Sequence, residues 1–192
     1  MGSDANDMVR SAVEATLNSN VELAEQVIAS DDNIDAAERA AMQKAVIAVM
    51  QESPVGEDLR FLVCTLGIVC EIEKVGDHAV KLARRATKLG SKFPSELRLP
   101  LVEMGEQVRS CFAASLKLYA DYSPELAQEI IEGDDTVDRA FGCVRQRVFG
   151  LVREHPESVE SLIRTMECFH ALEHVADHAV AIAVKISMVN QH

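Results

Sequence analysis

The sequence predicts an all-α fold of two three-helix bundles in tandem, spanning 1–90 and 91–192 in a duplicated six-helix arrangement. Three observations predict it. Helix formers dominate a chain that is 48% hydrophobic, only 4% aromatic and without tryptophan. Apolar residues recur at three- and four-residue steps between turn residues, and no stretch alternates as a strand would. The third observation is an internal repeat. Residues 22–37 align with 125–140 with eight of sixteen positions identical, and Glu73-Lys74-Val75-Gly76-Asp77-His78 returns as Glu173-His174-Val175-Ala176-Asp177-His178. A repeat of roughly 100 residues is too long for the common solenoid units and points to a duplicated small bundle.

The elements follow in order. Breakers fall at Asn18-Ser19-Asn20, at Ser53-Pro54, between Gly90 and Pro94, at Tyr122-Ser123-Pro124 and at His155-Pro156. Each half therefore divides into three helices, with the halves joined near Gly90. Ser123 before Pro124 has the form of an N-cap followed by proline at the first helical position. Leu23, Val27, Ile34, Ala37, Ala41, Ala45 and Ala48 mark the apolar stripe of the second helix, and Leu62, Leu66, Val69, Ile72 and Val80 that of the third. In the repeat alignment Met8 falls opposite Cys111, so the first helix is expected to be truncated or stunted.

Charge narrows the function. A net charge of −12 argues against nucleic-acid binding, which needs a clustered basic face, and against unassisted adhesion to an anionic membrane. No apolar run reaches the roughly 18 residues of a membrane span, and no secretory leader is evident. The five cysteines are odd in number and lack Cys-x-x-Cys spacing, as expected of reduced core thiols in a cytoplasmic protein.

The repeated acids carry the chemistry. Asp31 with Asp35, Glu73 with Asp77, Asp134 with Asp138 and Glu173 with Asp177 are each four apart, so each pair shares a helix face. Both pairs of the first half are centred on Pro54, and both pairs of the second on His155-Pro156. In an antiparallel hairpin, residues equidistant from the turn lie level. Four carboxylates therefore meet in each half. Lys74 and Lys81 are too few and wrongly placed to neutralise the first set, and four unneutralised carboxylates would repel. An oxygen-rich anionic cluster suits hard or borderline divalent and trivalent (ferric) cations, among magnesium, manganese, iron and zinc. No cysteine stands among these positions, which speaks against a thiolate zinc site. The blander readings are a solvated acidic face and helix-pairing acids with arginine partners. His78 and His178 read as partly buried, hydrogen-bonded histidines, and His170, one turn before Glu173, as a ligand candidate in one half only.

Val27-Ile28-x-x-Asp31-x-x-Ile34-Asp35, Pro54-Val55-x-x-Asp58-Leu59-Arg60 and Glu73-Lys74-Val75-Gly76-Asp77-His78-Ala79 closely resemble the PhoU family. Ile130-Ile131-x-Gly133-Asp134-x-x-Val137-Asp138 and Leu172-Glu173-His174-Val175-Ala176-Asp177-His178-Ala179 extend the resemblance through the second half. The resemblance implies a non-enzymatic regulator of phosphate uptake and phosphate-starvation signalling. It implies a cytoplasmic protein, peripheral to the inner face of the membrane, that forms a homodimer or higher oligomer. Its implied partners are the ATPase of a phosphate ABC transporter and a sensor histidine kinase. It also implies multinuclear metal clusters on Asp31, Asp35, Glu73, Asp77, Asp134, Asp138, Glu173 and Asp177. Departures from the family pattern are Lys74 and His174 where arginine is usual, Lys81 and Ala181 where asparagine is common, and His170 in place of an arginine.

Three alternatives stand beside this reading. One is the cytoplasmic PhoU-like domain of a sodium–phosphate cotransporter. Another is a di-metal carboxylate enzyme or metal-storage bundle, which needs two Glu-x-x-His motifs where this chain has only Glu167-x-x-His170. The third is a helical scaffold without metal.

Overall fold

The computed structural model describes residues 1–89 and 93–190, and all the regular structure in them is helical. Six α-helices follow in order: α1 Gly2–Asn18, α2 Val21–Glu52, α3 Glu57–Leu89, α4 Arg98–Ala120, α5 Pro124–Glu154 and α6 Val159–Asn190. Single 3-10 turns at Ser95–Leu97 and Pro156–Ser158 lead into α4 and α6.

The expected breakers end helices by identifiable means. Ser19 and Ser53 take left-handed backbone conformations, with φ of 51° and 47°, and close α1 and α2. The Asn20 side chain accepts from the Leu23 N–H at 3.0 Å to open α2, and Ser123 Oγ accepts from the Leu126 N–H at 3.1 Å to open α5 with Pro124 at its first turn. Glu57 and Asp58 at the start of α3, and Lys88 at its end, complement the helix dipole. The junction expected near Gly90 lies outside the described residues.

Each half is a three-helix bundle, but the halves are not separate bodies. Alongside the contacts within each half, α3 packs along α6 and α1 along α4. One apolar core runs through both. Small residues permit the close approach of α3 and α6: Ala79, Ala83, Ala176, Ala179 and Ala183 are at most 1% exposed. Repeat-equivalent residues meet where the halves join. Asn6 Nδ2 donates to the Arg109 carbonyl at 3.4 Å and Arg109 Nε returns a bond to the Asn6 carbonyl at 3.3 Å. The rings of His78 and His178 lie 5.3 Å apart. The duplication thus folds about an approximate two-fold axis.

Two expectations need correction. The stripe assigned to α3 is too narrow, because this helix touches α1, α2 and α6 and buries Ile68, Val75, Ala79, Leu82 and Ala83 as well as Ile72 and Val80. A single apolar stripe suits a helix with one neighbour; α3 has three. The cysteines are all free, but only Cys168 is fully buried, and Cys143 is exposed on α5.

Helix length explains where the core stops. At about 1.5 Å per residue, the 32 residues of α2 extend roughly 48 Å, whereas the 17 residues of α1 reach only about half as far. Towards the α2–α3 turn α1 no longer covers the hairpin, and Val46, Met50, Val55, Phe61 and Val63 are exposed there, although Phe61 stacks on Tyr119 of α4 at 5.8 Å.

Candidate metal centre

The hairpins place the predicted acids near one another in each half, but no three carboxylates of either set bring ligand atoms within 4.8 Å of one another. On α2, Asp31 and Asp35 stand one turn apart and face Glu73 and Asp77 of α3. The approach is close: a β-carbon placed on Gly76 would lie 3.7 Å from Asp31 Oδ1 and 3.4 Å from the Ile34 side chain. Burial, then the charges of Asp77 and Asp35, raises the Asp31 carboxyl pKa. Burial raises that of Glu73 as well, followed by Asp77, Glu38, Asp35 and Asp31. In the second half α5 carries Asp134 and Asp138, and α6 carries Glu173 and Asp177. Burial together with Asp138, Asp177 and Glu173 pushes Asp134 up to about 6. Each set of four therefore shares one electrostatic neighbourhood.

The first set is partly countered, which corrects the reading of its lysines. Lys81 Nζ lies 3.7 Å from Asp77 Oδ2, and Arg39, which spacing alone did not single out, lies 3.4 Å from Asp35 Oδ2. Lys74 turns away to Glu71, at 3.3 Å. Among the described residues no lysine or arginine forms an ion pair with the second set, which is flanked by histidines instead. His174 Nδ1 is 2.9 Å from Asp177 Oδ2 and 3.5 Å from Glu173 Oε2, and His170 Nε2 is 3.7 Å from Glu173 Oε2.

Polar atoms left without a partner show how a cation would fit. Asp134 Oδ1 and Glu173 Oε2 are buried and accept no hydrogen bond. A buried carboxylate oxygen without a donor is costly, and a cation would relieve it. The residues of the second half fit a metal ion on this ground. His170, Glu173 and His174 also offer ligand atoms that all lie within 4.8 Å of one another, and no other such group of three occurs among the described residues. Sequence spacing singled out Glu173 and considered His170, but noted His174 only as a departure from arginine. The signal was present as His170-x-x-x-His174 on one helix face.

His78 and His178 differ from each other more than expected. His178 donates Nδ1–H to Glu71 Oε2 at 2.7 Å, whereas His78 Nδ1 is buried without a partner. Burial, reinforced by Lys81 and the neighbouring imidazoles, pulls the His78 pKa down to about 3, so the ring is neutral near pH 7. The four rings form a row: His170 to His174 is 4.2 Å, His174 to His78 4.9 Å and His78 to His178 5.3 Å between centroids.

Sequence reasoning missed Glu71. It is 7% exposed on the α6-facing side of α3 and is held by His178, by Lys185 at 3.1 Å and by Lys74. Burial raises its carboxyl pKa, but the bonds from Lys185 and His178 and the charges of Lys185 and Lys74 outweigh that, so the net shift is downward. Its repeat equivalent is Ala171, buried and neutral. Glu71 thus ties α3 to α6 without being part of either acidic set.

The raised carboxyls give a pH dependence of definite sign. A carboxyl whose folded pKa exceeds its unfolded one holds its proton more tightly in the fold. Its contribution favours folding at low pH and is lost as pH rises through the folded pKa. For Asp134 that window runs from 3.8 to about 6. In the metal-free protein Asp134→Asn is therefore expected to stabilise the fold at pH 7. A unit of pKa is worth about 1.4 kcal/mol, and solvent screening of this half-buried group reduces the gain to about 1 kcal/mol. Urea unfolding in chelator should show the gain at pH 7 and not at pH 4. A destabilised variant at pH 7 would contradict the placement of the acids.

Comparison with known proteins gives a consistent result. The family model described as "PhoU domain" matches twice, at residues 1–86 and 101–186. A "Phosphate-specific transport system accessory protein PhoU homolog" of Rhizobium meliloti is 31% identical over 97% of this chain and 79% of its own length. A protein of the same description from Pseudomonas putida is 29% identical over 93% of this chain and 70% of its own. The crystal structure of PhoU from Pseudomonas aeruginosa superposes with a TM-score of 0.94 at 28% identity, covering 100% of this chain and 92% of that one. PhoU from Streptococcus pneumoniae, at 22% identity and a TM-score of 0.90, shares the fold. On its twice-matched domain, its repeated acids and its relatives over nearly full length, this chain belongs to the PhoU family.

Proposed function

We propose that this protein is an accessory regulator of phosphate transport that also acts in phosphate-starvation signalling, through contacts with a phosphate ABC transporter's ATPase and a sensor histidine kinase. The observation that carries the reading is similarity over nearly the whole chain to proteins named for the phosphate-specific transport system. Its output is binding to other proteins, from the cytoplasmic side of the membrane and as a homodimer or larger assembly. No helix among the described residues is long and apolar enough to cross a membrane, which accords with a peripheral role.

Metal ions belong to the same proposal. Asp31, Asp35, Glu73 and Asp77 would hold one ion or cluster across α2 and α3, and Asp134, Asp138, Glu173 and Asp177 another across α5 and α6. A bound cation would supply positive charge that removes the repulsion within each set. The side chains do the rest: one carboxylate pair per helix, each a turn apart, fixes the register of its hairpin. Arg39 and Lys81 trim the charge at the rim of the first set.

The di-metal enzyme reading gains nothing from the structure. Glu167, the acid of the single Glu-x-x-His motif, pairs with Arg85 at 2.6 Å rather than turning to His170. Deleting the gene in its host tests the regulatory reading. Expression of phosphate-starvation genes should become constitutive in high phosphate, and normal repression in the deletion strain would count against the proposal.

A further inference from the structure

We infer that His170, Glu173 and His174 form a nitrogen-bearing site for a borderline divalent transition ion such as zinc, so that the two halves of the molecule select different cations. The inference rests on the metal-binding reading above and adds two ligands, a ligand chemistry and an inequality between the halves.

Geometry is the first support. The three donor atoms lie within 4.8 Å of one another, and the recorded separations from Glu173 Oε2 are 3.5 Å to His174 Nδ1 and 3.7 Å to His170 Nε2. Ligands about 2.0–2.2 Å from a tetrahedral zinc ion stand roughly 3.3–3.6 Å apart, so little movement separates this arrangement from a coordination sphere. The oxygen at its centre, Glu173 Oε2, is one of the buried atoms without a hydrogen-bond partner. The rings are positioned by packing as well: Phe141 of α5 stacks on His170 at 5.7 Å and 14°, and His170 meets His174 at 4.2 Å. Asp177 Oδ2 stands 2.9 Å from the same His174 Nδ1, so in the metal-free protein it holds the nitrogen that an ion would take over.

Chemistry is the second. Imidazole nitrogen favours zinc, copper, nickel and iron, whereas sites built of carboxylates alone favour magnesium, calcium and manganese. The first half lacks this option. Its equivalents of His170 and His174 are Cys70, whose thiol is held protonated by burial and by Glu38 beside it, and Lys74, which pairs with Glu71. One half is thus all oxygen and the other mixed.

The test isolates the second half. A protein carrying Asp31→Asn and Asp77→Asn is stripped with chelator, checked for helical content by circular dichroism and titrated with zinc and, separately, with manganese. The same background with H170Q and H174Q added is titrated alongside, and His155→Gln, at the distant α5–α6 turn, serves as the control. Both histidines are solvent-accessible, with side chains 54% and 37% exposed, so the fold should tolerate glutamine. Removing an orienting outer partner costs 10–100-fold in metal affinity, so loss of two direct ligands should weaken zinc by at least about 100-fold. Manganese should change by less than about threefold, and the control should match its parent. Copper(II) loaded as a spectroscopic probe should show nitrogen couplings from imidazole that vanish in the glutamine variant. Unchanged zinc affinity, or copper without nitrogen coupling, would overturn the inference while leaving carboxylate binding intact. Absence of metal binding by the unsubstituted protein would overturn both.

Discussion

Asp77→Ala combined with Asp177→Ala is expected to remove most of the metal the protein binds. Each residue sits at the meeting point of its set. After burial, Asp77 is the strongest charge acting on both Asp31 and Glu73, and Asp177 is the strongest on Glu173 and the second strongest on Asp134. A carboxylate that adds to its neighbours' burial in raising their pKa is close enough to share a cation with them. Losing a direct ligand should exceed the 10–100-fold that an outer partner costs, so affinity in each half should fall at least about 100-fold. The fold should survive. Both side chains are nearly half exposed, at 47% and 46%, and surface changes of this kind usually alter stability by no more than about 0.5 kcal/mol. Metal content after equilibrium dialysis, read beside the thermal melt, checks both parts. A double variant that keeps its full metal load would show that the ions sit elsewhere.

Phe169→Ala should produce the largest loss of stability and should spread it through both halves. Phe169 is fully buried on α6 and packs near Phe93, with ring centroids 6.4 Å apart. Truncating a buried phenylalanine to alanine removes its transfer energy and leaves a cavity, at a cost of about 3–5 kcal/mol. In a chain of this size that lowers the melting temperature by about 6–20 °C. The core is continuous from α1 to α6, so one cooperative transition should move as a whole. Two transitions, of which only one shifts, would contradict the shared core and restore the picture of independent bundles.

How much of this could be read from the sequence depends on the range of the interaction. The carboxylate register was legible because it needs only helical spacing and a proline-marked turn, both local. Ser19, Asn20, Ser53 and Ser123 were legible as punctuation for the same reason, although only the structure shows that the first and third close their helices in the left-handed conformation. Glu71 was not legible. Its partners His178 and Lys185 lie more than 100 residues away on α6, and nothing in the local pattern of α3 distinguishes it from a solvated acid. The burial of α3 on several sides was hidden likewise, since a stripe shows one face while the packing of two bundles decides how many faces are used.

The candidate site divides along the same line. Eight carboxylates followed from spacing, but the imidazoles beside Glu173 follow from side-chain directions that spacing leaves open. Lys81 and Arg39 illustrate the point from the other side. Each lies one turn from an acid of the first set, and only the three-dimensional structure shows both side chains folded back onto it.

The most direct test of the account is a count of ions per chain. The unsubstituted protein, purified at neutral pH without chelator and dialysed against divalent or ferric metal, is assayed for bound metal by elemental analysis. Two opposed carboxylate sets predict two or more ions per chain. Fewer than one ion per chain would contradict the claim that the duplicated acids are cation sites.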